Sequence, residues 1–105
     1  MQRAAFYAQG QYESVKSYVH GIDPEKPIHI GETGWSSVSV GFYGNNGSFA
    51  ADEYKQALYH QAMREWTDAE GISCFYFEAF DEQWKDPNHT DGSENHFGLI
   101  TLDGK

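Results

Sequence analysis

The stretch Ile28-His29-Ile30-Gly31-Glu32, running on into Thr33-Gly34-Trp35, decides how this chain folds. Alternation over residues 28–32 puts Ile28, Ile30 and Glu32 on one face of a strand, so a carboxylate ends an otherwise apolar row. A second run, Ile72-Ser73-Cys74-Phe75-Tyr76-Phe77-Glu78-Ala79-Phe80, is apolar on both faces, as a buried parallel strand is. It too ends among carboxylates: Glu78, Asp81 and Glu82.

Between the two runs the pattern changes to a helical one. Ser48 reads as an N-cap and the helix extends to about Glu70, with Asp52 and Glu53 in the first turn where the helix dipole favours them. Tyr54, Leu58, Ala62 and Trp66, joined by Ala50, Ala57 and Ala69, form its apolar stripe, and Gly71 closes it. Upstream, Ala8, Tyr12, Val15 and Val19 predict a helix over residues 2–20, stopped by Gly21 and Pro24. The order helix, strand, helix, strand is an α/β pattern with a parallel crossover. Two strands alone do not cover both faces of a sheet, so the piece needs a partner or a second copy of itself. A first helix that starts at residue 2 without a capping residue fits a chain joined to an element already under way.

Composition narrows the function classes. The 105 residues hold 16 carboxylates against 7 Lys plus Arg, a net charge of −9 that argues against nucleic acid or an anionic membrane as partner. No run reaches the roughly 20 apolar residues of a membrane helix, and the N-terminus shows no apolar signal-peptide core. Leu, Ile and Val total only 12, against seven Phe, seven Tyr and three Trp, so aromatic surface must complete the core or meet a ligand. The His residues at 20, 29, 60, 89 and 96 never fall at paired metal-ligand spacing, and Cys74 has no partner; no metal or cofactor is expected. Residues 86–92 fail as a calcium loop, because position 97 is Phe where a bidentate Glu is required.

In parallel α/β architectures, active sites sit at the C-terminal ends of strands, where Glu32 and Glu78 to Glu82 lie. There the local sequence becomes specific. Gly31-Glu32-Thr33-Gly34-Trp35 resembles the nucleophile motif of glycoside hydrolase family 17, the β-1,3-glucanase family. Phe77-Glu78-Ala79-Phe80-Asp81-Glu82-Gln83-Trp84-Lys85 resembles that family's final barrel strand, and Glu94-Asn95-His96-Phe97-Gly98-Leu99 is similar to its closing segment. The three motifs stand in family order and cover nearly everything from Pro27 onward.

The resemblance implies the C-terminal part of a (β/α)₈ barrel, with residues 1–105 a single partial segment and strands at about 28–32 and 72–80. It implies a retaining glycosidase acting on β-1,3-glucan, with Glu32 as nucleophile and Glu82 and Lys85 in support. Retention needs two carboxyl groups roughly 5–5.5 Å apart. The family's acid/base, preceded by Asn on an earlier strand, has no counterpart here, so this piece alone is expected to be a poor hydrolase. Ser36 stands where the family often has Pro or Ala. Trp35 and Trp84 are candidates to stack on sugar faces, Phe42 and Tyr43 to line the groove from the long loop, and Glu78 to contact substrate. A transglycosylase using the same site, a non-catalytic carbohydrate-binding piece and a self-associating barrel fragment are the alternatives. The family works mostly outside the cytoplasm.

Overall fold

The computed structural model describes residues 2–39 and 51–101. They form helix α1 (Gln2–Ile22), strand β1 (Ile30–Thr33), helix α2 (Glu53–Glu70), strand β2 (Cys74–Tyr76) and a short 3₁₀ helix (Ser93–Asn95). β1 and β2 pair in parallel, joined through α2, which is the expected crossover.

Both strands are shorter than predicted, for different reasons. Ile30 pairs with Cys74 and Thr33 with Tyr76, so the register shifts between them: Gly31 and Glu32 together face the single Phe75. A bulge of this kind breaks simple alternation. Ile30 and Thr33 are half-buried while Gly31 and Glu32 are both exposed, and the predicted Ile28–Ile30–Glu32 row does not persist to its end. The second run splits in two. Cys74–Tyr76 pairs with β1, whereas residues 77–80 turn to the closing segment: Leu99 donates its N–H to the Glu78 carbonyl (2.9 Å) and Ile100 to that of Ala79 (2.9 Å). Phe80 and Ile100 form an isolated parallel bridge, and the Phe77–Glu78 peptide is cis.

α1 runs through Gly21 and ends where Asp23 bonds back to the Val19 carbonyl (2.8 Å), just before Pro24. The α2 cap is Asp52, whose carboxylate accepts the Lys55 N–H at 2.7 Å; Ser48, the expected cap, lies outside the described residues. Gly71 closes α2 with φ at 66°, a left-handed conformation that glycine adopts without steric penalty.

The buried face of α2 is not the stripe that apolarity selected. It consists of Gln56, Tyr59, Met63 and Thr67, at helical spacing, while Tyr54 is 73% exposed and Leu58, Ala62 and Trp66 are half-buried. Two polar residues sit inside because their hydrogen bonds are met: Thr67 Oγ1 donates to the Met63 carbonyl (2.8 Å), and Gln56 Nε2 reaches two backbone carbonyls described below.

Ala5, Tyr59 and Met63 are the core, with Ile30, Trp35, Trp66 and Tyr76 packed around them. Burying Tyr59 and Met63 contributes roughly 1.5–3 kcal/mol each. Tyr12 meets Trp66 edge-on at 5.4 Å and joins the two helices. Beyond this core, Phe6, Tyr7, Tyr18, Phe75 and Trp84 all stand exposed. No helix among the described residues is long and apolar enough to cross a membrane.

Candidate active site

The loop after β1 begins with a close approach. A Cβ on Gly34 would lie 2.0 Å from the Phe77 carbonyl oxygen, so only glycine lets the end of β1 pass the end of β2. Phe77 donates its N–H to the Thr33 carbonyl at 2.7 Å across the same junction. The motif glycine thus sets how near Glu32 lies to the second strand's end.

Together these ends enclose a cavity of about 330 Å³ lined by Glu32, Gly34, Phe77, Lys85, Glu94 and Phe97. Its size falls at the small end of ligand pockets, which span about 300–1,000 Å³. Lys85 is its cation. The ammonium lies 3.2 Å from Glu82 Oε2, 3.5 Å from Glu78 Oε1 and 3.8 Å above the centre of the Phe77 ring. Burial pushes the Glu78 carboxyl above its ordinary range, Lys85 opposes that shift, and the neighbouring Glu82 adds to it. Burial disfavours the charge on Lys85, yet its hydrogen bond to Glu82 and the two carboxylate charges outweigh this and raise its pKa. Two carboxylates and a cation therefore form one unit, whose lysine shares the cavity with Glu32.

The predicted site residues separate into groups. Glu32 and Lys85 line the cavity directly, and Glu78 and Glu82 hold Lys85. Trp35 is half-buried at the edge of the core, its ring 5.2 Å from that of Tyr59. Trp84 is 74% exposed, and neither Trp lines the cavity. Phe42 and Tyr43 lie outside the described residues. Among the described residues no cluster of three or more His, Cys, Asp or Glu side chains is arranged to hold a metal. Cys74 is a half-buried free thiol whose pKa burial raises.

Several residues to which sequence reasoning assigned no role also build the site. Glu94 puts a second carboxylate on the cavity wall, and its only signal was its place three residues before Phe97. Gln56 donates one amide proton to the Trp35 carbonyl (3.0 Å) and the other to the Gly98 carbonyl (3.0 Å), tying the Glu32 loop to the closing segment. Thr33 and Tyr59 share a hydroxyl–hydroxyl bond of 2.7 Å, which anchors the residue after Glu32 to α2. Asp81 is buried because Gly98 N–H (2.8 Å) and His96 Nδ1 (3.3 Å) both reach its carboxylate. A Cβ on Gly98 would lie 2.2 Å from the Asp81 nitrogen, so glycine is required there as well. Ser36 is buried and bonds the Val38 and Ser93 carbonyls, so the serine at this position ties the Glu32 loop to the loop opposite.

Known proteins match the chain at both levels. Residues 20–105 match the family described as glycosyl hydrolases family 17. Among solved structures, an endo-laminarinase from Formosa Hel1_33_131 superimposes with a TM-score of 0.90 at 58% identity, covering 98% of this chain and 26% of that one. An active-site mutant of the Rhizomucor miehei β-1,3-glucanosyltransferase, in complex with laminaritriose, gives a TM-score of 0.71 at 27% identity over 96% of this chain and 34% of that one. A glucan 1,3-β-glucosidase from Arthroderma benhamiae is 39% identical over 85 residues, which is 74% of this chain and 26% of that protein. The chain thus spans about a quarter to a third of the length of these relatives.

Proposed function

The chain belongs to glycosyl hydrolases family 17, and on that premise we propose that it is the C-terminal part of a (β/α)₈ barrel that cleaves β-1,3-glucan with retention. The observation that carries this reading is the shared cavity at the ends of two parallel strands, lined by both Glu32 and Lys85, with Lys85 held by Glu78 and Glu82. Glu32 is the nucleophile: its carboxylate attacks the anomeric carbon and the bond to the leaving oxygen breaks. That oxygen takes a proton from an acid roughly 5–5.5 Å away, supplied by an earlier strand. Water then releases the sugar from Glu32. Lys85 and Glu82 support the site through charge and hydrogen bonding, Glu78 sits with them behind the substrate, and Trp84 has the exposed ring suited to stacking on sugar.

The names of the relatives favour a second use of the same site. One is a glucanosyltransferase, in which a sugar hydroxyl rather than water accepts the glycosyl group. Laminarin cleavage and trapping by a mechanism-based fluoro-sugar, measured in a chain that includes the earlier strands, test the assignment. Glu32→Gln abolishes both; unchanged activity in that variant refutes the role of Glu32. The product profile, with or without chains longer than the substrate, separates transfer from hydrolysis.

A further inference from the structure

The loop that carries Lys85 is held from the inside by one side chain that nothing in the chemistry above uses. Asn95, at the end of the 3₁₀ helix, has no exposed surface. Its Oδ1 accepts the Asp86 N–H at 2.8 Å, and its Nδ2 donates to the Asp86 carbonyl at 2.8 Å and to that of His89 at 3.2 Å. Asparagine offers two donors and one carbonyl acceptor, so a single amide here grips the peptide groups on both sides of Asp86.

The surrounding turn leaves that grip little play. Gly92 donates to the His89 carbonyl at 2.7 Å, and a Cβ on Gly92 would lie 2.9 Å from that same oxygen. His96 Nε2 donates to the Thr90 carbonyl at 2.8 Å. The loop over residues 85–96 is therefore a bonded wall rather than an open connection. The residues flanking the clamp are Lys85, next to Asp86, and Glu94, next to Asn95, and both line the Glu32 cavity.

We propose that Asn95 is a positioning residue of the Glu32 cavity, clamping the backbone beside Lys85 so that the ammonium and the Glu94 carboxylate keep fixed places on its wall. A lysine head on a flexible four-carbon stem holds one position only if its backbone is held as well. Three contacts locate this head: Glu78, Glu82 and the Phe77 face. All three belong to residues 77–82, so the distance between them and the Lys85 backbone decides whether they are met together. Removing the Asn95 side chain leaves the Asp86 N–H without its partner and the Asp86 carbonyl with only the 3.3 Å bond from the His89 N–H, so the loop is freed to open toward water. The claim rests on the glucan-cleaving reading for its purpose, but its test does not need glucan.

The experiment is a titration of the lysine Nζ resonances in the ¹⁵N-lysine-labelled 105-residue chain, wild type against Asn95→Ala. In the wild type Lys85 titrates above the ordinary lysine range. In Asn95→Ala it returns toward that range. A purely structural role lowers stability without moving Lys85 in the folded variant, and that result overturns the proposal. Asn95→Leu, close to asparagine in volume but unable to make any of the three bonds, gives a second comparison with no new charge and the same expected shift. The wild type supplies an arm free of any variant: its Asp86 amide exchanges about tenfold or more slower than an open-loop amide, and free-chain exchange there refutes the clamp. Failure of laminarin cleavage by the chain that includes the earlier strands, with Lys85 shifted as expected, would overturn the functional reading and leave the clamp standing.

Discussion

Gly34→Ala tests the junction on which the cavity depends. The added Cβ would lie 2.0 Å from the Phe77 carbonyl oxygen and 3.1 Å from its carbon, while the Phe97 ring at 3.5 Å is an ordinary contact. The clash is with backbone, so no rotamer change relieves it; one strand end must move by about 1 Å. That movement acts on the 2.7 Å bond from Phe77 N–H to the Thr33 carbonyl, which closes the parallel pair. Overpacking of this kind costs typically 1–3 kcal/mol, and losing the hydrogen bond adds about 0.5–1.5 kcal/mol. The expected destabilisation is about 2–4 kcal/mol, a large share of the ~5–15 kcal/mol that holds a domain. With a urea slope of about 1–2 kcal/mol per molar for a chain this size, the midpoint falls by about 1–4 M. Equilibrium urea unfolding followed by circular dichroism measures the midpoint, and hydrogen exchange at Phe77 reports the junction itself. A midpoint within about 0.3 M of wild type, with Phe77 still protected, refutes the close-approach argument.

Two further perturbations address the scaffold. Gln56→Leu leaves the Trp35 and Gly98 carbonyls without their shared donor, costing about 1–3 kcal/mol; a urea midpoint equal to wild type contradicts the tie. Asp52→Ala removes the α2 cap, and its effect depends on pH. Hydrogen bonds from the Lys55 side chain and backbone lower the folded-state pKa of Asp52, so its contribution is complete above the ordinary aspartate range and is lost as pH falls through the depressed value. Thermal midpoints of wild type and variant should differ at pH 7 and converge in acid; a gap that persists unchanged into acid excludes the ionised cap as its source.

How much was legible in the sequence varies from element to element. α1 and α2 were legible because helical periodicity is a local signal, and Gly71 marked the end of α2 in advance. The buried face of α2 was not. Gln56 and Thr67 count as polar in any pattern, and only a folded chain provides the carbonyls that make them cheap to bury. The second strand was legible in place but not in length, since an apolar run does not reveal that its first half pairs with β1 and its second with residues 97–100.

The sequence alone determined which chemistry is present: a carboxylate at the end of each apolar run, a lysine after the second, and three ordered motifs that resemble one family. Those are properties of adjacent residues, and adjacency survives without a fold. Tertiary structure alone decided that Glu32, Lys85 and Glu94 share one cavity, that Glu78 and Glu82 hold the lysine, and that Asn95 secures the loop between them. These contacts join segments distant along the chain. They exist because two glycines allow backbone to pass backbone and buried amides bond carbonyls across loops, geometry that no local pattern encodes.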